Sequence, residues 1–189
     1  MTSSDDSHAS IRTERLVLRP MRADDADALF ALFANWEVIR WLSAPPWPYS
    51  LEDAHSFIGQ LDAGDLTKSE YAITLENALI GAVDVRMNPA SHSQSGPGPN
   101  LGYWLAHPFW GRGYMTEAAR GLVAHVFAAG LGDIIYSGAF TDNEASLRVQ
   151  EKLGFIRDGE TMLYAKPRGE KFPHINTVLT RSAFEASGP

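Results

Sequence analysis

The stretch LGYWLAHPFWGRGYMTEAARGLVAHVFAA, residues 101–129, decides how the rest of the chain is read. It opens as an apolar strand, LGYWLA, and turns through HPFWGRGYMTE. It then carries Met115, Ala118, Ala119, Leu122, Val123 and Val126 at helical spacing as far as Gly130. A strand handed to a helix through glycines leaves the first backbone N–H groups unpaired at the positive end of the helix dipole, which makes a socket for phosphate. Gly111 and Gly113 permit a tight turn and close approach of a ligand, and Arg112 adds a charge beside it. The plainer alternative is a tight connection that binds nothing.

A second segment, TDNEASLRVQEKLGF at residues 141–155, tips the balance. The phrase P-x-W-G-R-G-Y-x-T-E-A, from Pro108 to Ala118, followed by N-x-x-S-x-x-V-x-E-K-L-G-F, from Asn143 to Phe155, resembles the two acyl-CoA motifs of the GNAT N-acetyltransferase superfamily. Within it the chain is most similar to the ribosomal-protein N-terminal acetyltransferase (RimJ/RimL-like) branch, which TERLVLRPMRADDADALF and YSLEDAHSFI also resemble. The resemblance implies a mixed, strongly twisted α/β sheet flanked by helices, with a splayed central strand pair holding acyl-CoA. It implies transfer of an acetyl group from acetyl-CoA to a primary amine, by direct attack in a ternary complex. The acceptor would be a peptide N-terminus or a small-molecule amine.

Composition fits that frame. A chain of 189 residues makes one domain, expected over 11–186 behind a short disordered tail at 1–10. The tail, MTSSDDSHAS, lacks the apolar core of a signal peptide, and no apolar run approaches the ~20 residues of a membrane span. With no cysteine, thiolate chemistry and disulfides are excluded, and a cytoplasmic location is expected. The net charge of −7 argues against nucleic acid and suits a cationic partner such as an amine. Fold-level analogy suggests a homodimer.

Taken in order, LVLRP reads as a strand. DDADALFALFA follows as a helix with Ala28, Leu29, Leu32 and Phe33 inward. NWEVIRWLSAPPWPYS gives a short helix and then an extended loop, because its prolines forbid one continuous helix. Trp36, Trp41, Trp47 and Tyr49 there either wall an acceptor pocket or cap the core. Ser50 is placed to cap the helix LEDAHSFIGQLDAG, closing at Gly64. YAITL and ALIGAVDVRM form a hairpin about Glu76 and Asn77, and residues 88–100 a mobile loop. DIIYSGAF, FIRDGETMLYAK and INTVLTRSAF read as later strands. The basic loop between the last two carries Lys166, Arg168 and Lys171, either solvated or reaching the ligand mouth.

The chemistry needs a held thioester, a neutral amine, a stabilised oxyanion and a proton for the departing thiolate. The pyrophosphate site is read as the backbone of Arg112, Gly113, Tyr114 and Met115 with Thr116, and Asn143 joins the cofactor contacts. The family implies that the pantetheine arm lies against the central strand, at Trp104, Leu105 and Ala106. Met115 is larger than the Gly or Ala common at its position. The superfamily often places a tyrosine acid further along the second helix; LRVQEK has none, and the branch suggests Ser146 as proton donor, with N-capping as its alternative. Asn100 stands where the branch often carries an acidic residue, so proton removal through water falls to Asp84, with Glu117 and His107 as other candidates. Each of these three also has a purely structural reading. No histidine makes a metal-ligand spacing, and no metal is expected. The rival reading is a catalytically degenerate acyl-CoA-binding regulatory module.

Overall fold

The computed structural model describes residues 10–61, 65, 70–88 and 98–188. Strands β1 (Ile11–Arg12) and β2 (Val17–Pro20) lead through a short 3-10 turn into α1 (Ala26–Phe33), α2 (Trp36–Ile39) and α3 (Leu51–Gly59). A meander follows, β3 (Glu70–Leu75), β4 (Ala78–Asn88) and β5 (Gly98–Leu105), and then α4 (Tyr114–Ala128). The chain ends with β6 (Ile134–Phe140), α5 (Glu144–Leu153), β7 (Ile156–Ala165), β8 (Glu170–Thr180) and α6 (Arg181–Ala186).

All eight strands join one sheet in the order β1-β2-β3-β4-β5-β6-β8-β7. The β3–β4 hairpin closes through Glu76 (φ 50°) and Asn77 (φ 68°), the paired positive φ of a two-residue turn whose twist matches its strands. Every neighbouring pair is antiparallel except β5 and β6. That parallel pair shares a single position, Asn100 opposite Tyr136, and β5 then runs on to Leu105 without a partner on that side. The expected splay is therefore present at the centre of the sheet.

Alternation along the strands gives the sheet two apolar faces. On one, Leu18, Ile73, Val83, Leu101 and Ile135 pack against Ala118, Leu122 and Val126 of α4 and Leu153 of α5. On the other, Ala72, Ala82 and Trp104 pack against Leu29 and Phe33 of α1, Ile39 of α2 and Ile58 of α3. Leu122 and Ile135 are fully buried; truncating either to Ala costs about 2–5 kcal/mol. No described helix is long and apolar enough to cross a membrane.

Several local expectations change. In α1 the inward residues are Ala26, Leu29 and Phe33, while Ala28 is exposed, because the helix starts after the 3-10 turn and its phase is set by Ala26. Along α5, where helical spacing predicts an apolar stripe of Ala145, Val149 and Leu153, the buried residues are Leu147, Gln150 and Leu153, and Ala145 faces water. The RSAF end of the last strand is helical in α6, because Thr180 accepts a hydrogen bond from Ala183 N–H and caps it. Lys171 lies within β8 rather than in a loop. Ser50 caps α3 in a reciprocal box with Asp53, and the helix ends at Gly59. The expected stop at Gly64, the tail at 1–9 and residues 89–97 of the expected loop lie outside the described residues, while Gly98, Pro99 and Asn100 already belong to β5.

Candidate active site

The turn before α4 has the geometry its glycines predict. Gly111 (φ 73°) and Gly113 (φ 81°) both take the left-handed conformation, and Gly113 caps α4 without a side-chain hydrogen bond. The first helical bond runs from Glu117 N–H to the Gly113 carbonyl, so the amides of Tyr114, Met115 and Thr116 precede it and point outward. The Met115 side chain is buried in the core, so its bulk is directed away from the turn. Arg112 is exposed, and its carbonyl accepts from Arg15 Nη1 at 3.1 Å.

Arg15 was not anticipated in the sequence. Its guanidinium lies 4.5 Å from the Tyr114 ring centroid, beside Gly113, and its Nε donates to Glu117 at 2.7 Å. Glu117 also accepts from Thr13 Oγ1 (2.6 Å) and Arg15 N–H (2.7 Å). Although burial pushes the Glu117 carboxyl upward, these donors outweigh it and hold the group below its usual range. Glu117 is thus committed to tying the N-terminal segment to α4. His107 is exposed, its ring edge-on to Trp110.

The parity of β5 sorts the strand contacts. Ala106 N–H donates to Ile80 O at 2.9 Å, and main-chain groups alternate sides along a strand. The main chain of Trp104 therefore faces β4 as well, whereas that of Tyr103 and Leu105 faces the opening toward β6. The reading of Ala106 as a pantetheine contact is corrected for its amide, which the sheet has already taken. The Leu105 carbonyl accepts from Trp110 Nε1 at 2.6 Å, which fixes the start of the glycine turn against the strand end. Where the strands part, Ser137 Oγ donates to the Leu101 carbonyl at 2.9 Å.

On the α4–α5 side of the opening, hydroxyl groups gather at the head of α5. The Asn143 side chain accepts from Ser146 N–H at 3.2 Å and caps the helix. The Ser146 hydroxyl is left free of that task. It lies 2.8 Å from Tyr103 Oη, and Tyr103 can also donate to the Ser146 carbonyl at 3.1 Å. Gln150 Nε2 reaches the Gly138 carbonyl (3.1 Å), Ser146 Oγ (3.3 Å) and Tyr103 Oη (3.4 Å), while its Oε1 accepts from Thr177 at 2.6 Å. Burial raises the Tyr103 phenol above its usual range, so it keeps its proton at neutral pH. Tyr103 thus brings a phenol from β5 to the head of α5.

The other side of the sheet carries an acidic pair. Glu70 and Asp84 stand opposite each other on β3 and β4, both buried. Arg86 binds both, with its Nε on Asp84 and its Nη2 on Glu70 at 3.1 Å, and Trp104 Nε1 donates to Glu70 at 3.3 Å. Burial, reinforced by the neighbouring Asp84 charge, pushes Glu70 up to about 8, and burial raises Asp84 as well. Asp84 is therefore no lone carboxylate but half of a pair that retains a proton near neutrality. It lies against Gly102 of β5, at the margin of the opening.

The aromatic loop divides. Tyr49 is buried edge-on to Phe33, at 4.8 Å, and belongs to the core. Trp36 packs on the exposed Trp47 at 5.3 Å. Trp36 and Trp41 line a cavity of about 330 Å³ with Arg40, Asp142, Arg168 and Phe172. Arg168 is half-buried over Phe172, paired with Asp142, and lines that cavity. Among the described residues no group of three or more His, Asp or Glu could hold a metal ion.

Comparison with known proteins fits this geometry. The model of the acetyltransferase (GNAT) domain matches residues 15–156. The uncharacterized N-acetyltransferase YoaA of Bacillus subtilis (strain 168) is 30% identical over 166 residues, which is 86% of this chain and 91% of that protein. Among solved structures, a GNAT-family acetyltransferase from Bacillus anthracis superposes with a TM-score of 0.76 at 21% identity, covering 92% of this chain and 99% of that one. Mycobacterium smegmatis RimJ in complex with CoA-disulfide also gives 0.76 at 21% identity, covering 95% and 89%.

Proposed function

From the premise that the chain belongs to the GNAT acetyltransferase family and is an N-acetyltransferase, we propose that it acetylates peptide N-terminal α-amines or similarly weakly basic amines. Its donor is acetyl-CoA, as the family implies. In this reading the pyrophosphate lies on the amides of Gly113 to Thr116, with Arg112 and Arg15 nearby. The pantetheine arm enters the opening between β5 and β6, along the main chain of Tyr103 and Leu105. Acetyl-CoA supplies the activated acyl group. The residues supply position and protons: the Tyr103–Ser146 pair gives a proton to the departing thiolate, and the acceptor amine approaches from the opposite side of the sheet, past Asp84 at the margin of the opening.

The observation that carries the proposal is a conjunction: an open helix start and a parted strand pair meet beside two hydroxyls 2.8 Å apart. A module that only binds acyl-CoA has no use for the last feature. Placement in the ribosomal-protein branch rests on the motif resemblance and on the likeness to RimJ, and it brings with it a cytoplasmic location. The experiment is incubation with acetyl-CoA and a panel of peptides and small amines. Acetylated product by mass spectrometry, matched by free thiol, supports the reading. Cofactor binding without product from any amine contradicts it.

A further inference from the structure

The mechanism so far leaves the proton of the attacking amine without a direct acceptor. β5 and β6 each carry a glycine two residues beyond their last shared pair, Gly102 after Asn100 and Gly138 after Tyr136. Both point to the side of the sheet where α1, α2 and α3 pack, so the floor of the opening bears no side chains of its own there. Residues from the neighbouring strands lean over it instead. Asp84 of β4 leans over Gly102, and His174 of β8 leans over Gly138. A Cβ added at Gly138 would lie 2.9 Å from His174 Nε2 and press on Cε1 as well. Glycine at 138 is what seats the imidazole at the margin of the opening.

The ring is oriented and its tautomer set. His174 Nδ1 is 3.1 Å from Asn176 Oδ1, an atom that only accepts, so Nδ1 carries the proton and the Nε2 lone pair is free. Thr161 Oγ1 of β7 donates to the same Asn176 oxygen at 3.5 Å, at the long limit of a hydrogen bond. Phe140 of β6 closes the ring's flank edge-on, at 5.6 Å. Gly138 also joins the two sides of the opening: its carbonyl receives Gln150, which contacts Ser146 and Tyr103.

Resting on the acetyl-transfer reading above, we propose that His174 is a catalytic residue whose Nε2 takes the proton from the acceptor nitrogen. As the N–C bond forms and the C–S bond breaks, the amine proton passes to Nε2 and the thiolate takes one from the Tyr103–Ser146 pair. Exchange with solvent then returns both groups to their starting states. Burial lowers the His174 pKa, so the ring is neutral and ready at pH 7.

The test is His174→Ala with a peptide acceptor in the full chain. The expected result is a fall in kcat of about 10²-fold or more, an unchanged melting shift with acetyl-CoA, and turnover restored by added imidazoles in order of their basicity. Asn176→Ala frees the wrong tautomer and should lower kcat while leaving the acetyl-CoA shift intact. Full-speed turnover by His174→Ala, or a loss that no imidazole restores, overturns the proposal. If His174→Ala does not fold, a folded Asn176→Ala at wild-type speed overturns it instead. A wild-type protein with no acetyl-CoA melting shift contradicts the cofactor reading beneath it, which separates the two failures.

Discussion

Tyr103 Oη and Ser146 Oγ lie 2.8 Å apart, joining the central strand to the head of the helix that follows the parted strands. They share one hydrogen-bonded unit with Gln150, so they should fail as a unit. Ser146→Ala and Tyr103→Phe are each expected to lower kcat by about 10²-fold, and the double variant little further. Because the cap of α5 is the Asn143 side chain on Ser146 N–H, Ser146→Ala keeps it and should melt near the wild type. Steady-state kinetics and melting curves on the three variants decide; multiplied losses in the double variant would show two independent roles.

Glu70 gives a pH prediction whose sign is fixed by burial. Its folded-state carboxyl is raised, to about 8, above an ordinary value of 4.5. Between those values the folded protein binds the proton that the unfolded chain has released, so stability falls as pH rises through that window. Glu70→Gln keeps the shape and removes the ionisation. Its melting temperature relative to wild type should therefore be higher at pH 8 than at pH 5.5. A difference that does not change with pH would show that Glu70 is not held protonated.

The phosphate socket predicts a loss without a change of fold. Gly113 is the left-handed cap of α4, beside the first free amides. Gly113→Asp puts an anion where the pyrophosphate is read to sit. Wild type at a hundred times Kd should gain about 2.7 kcal/mol from acetyl-CoA, seen as a melting shift, and the variant should gain none. A shift of equal size in both would remove the turn from the binding site.

How far the sequence carried these conclusions depended on range. The strand–turn–helix of residues 101–129 was legible because glycine conformation and helical spacing are local, and the Ser50 cap and Glu76–Asn77 turn were legible for the same reason. The family resemblance points to Ser146, yet its partner Tyr103 lies 43 positions away, and only strand parity turns that phenol toward α5. Glu70 is paired with a residue fourteen positions on because of hairpin register, which composition does not reveal. Nothing local marks His174 among the six histidines, since its meaning comes from Gly138 on a neighbouring strand and Asn176 two residues on. The Ala28 and Ala145 errors arose because helix phase depends on the first helical residue, which pattern alone fixes poorly.

The central claim is tested most directly by the choice between two amines. A peptide α-amine has a pKa near ~7.7–8.0 and a lysine side chain near ~10.4, so neutralising lysine at pH 7 costs roughly 3 kcal/mol more. Asn100 cannot accept a proton, and an imidazole is too weak a base to offset that difference. Two peptides are offered in competition with acetyl-CoA at pH 7, one with only a free N-terminus and one blocked at its end but carrying lysine. Mass spectrometry is expected to find the free N-terminus acetylated faster. Faster acetylation of the lysine peptide would contradict the assignment.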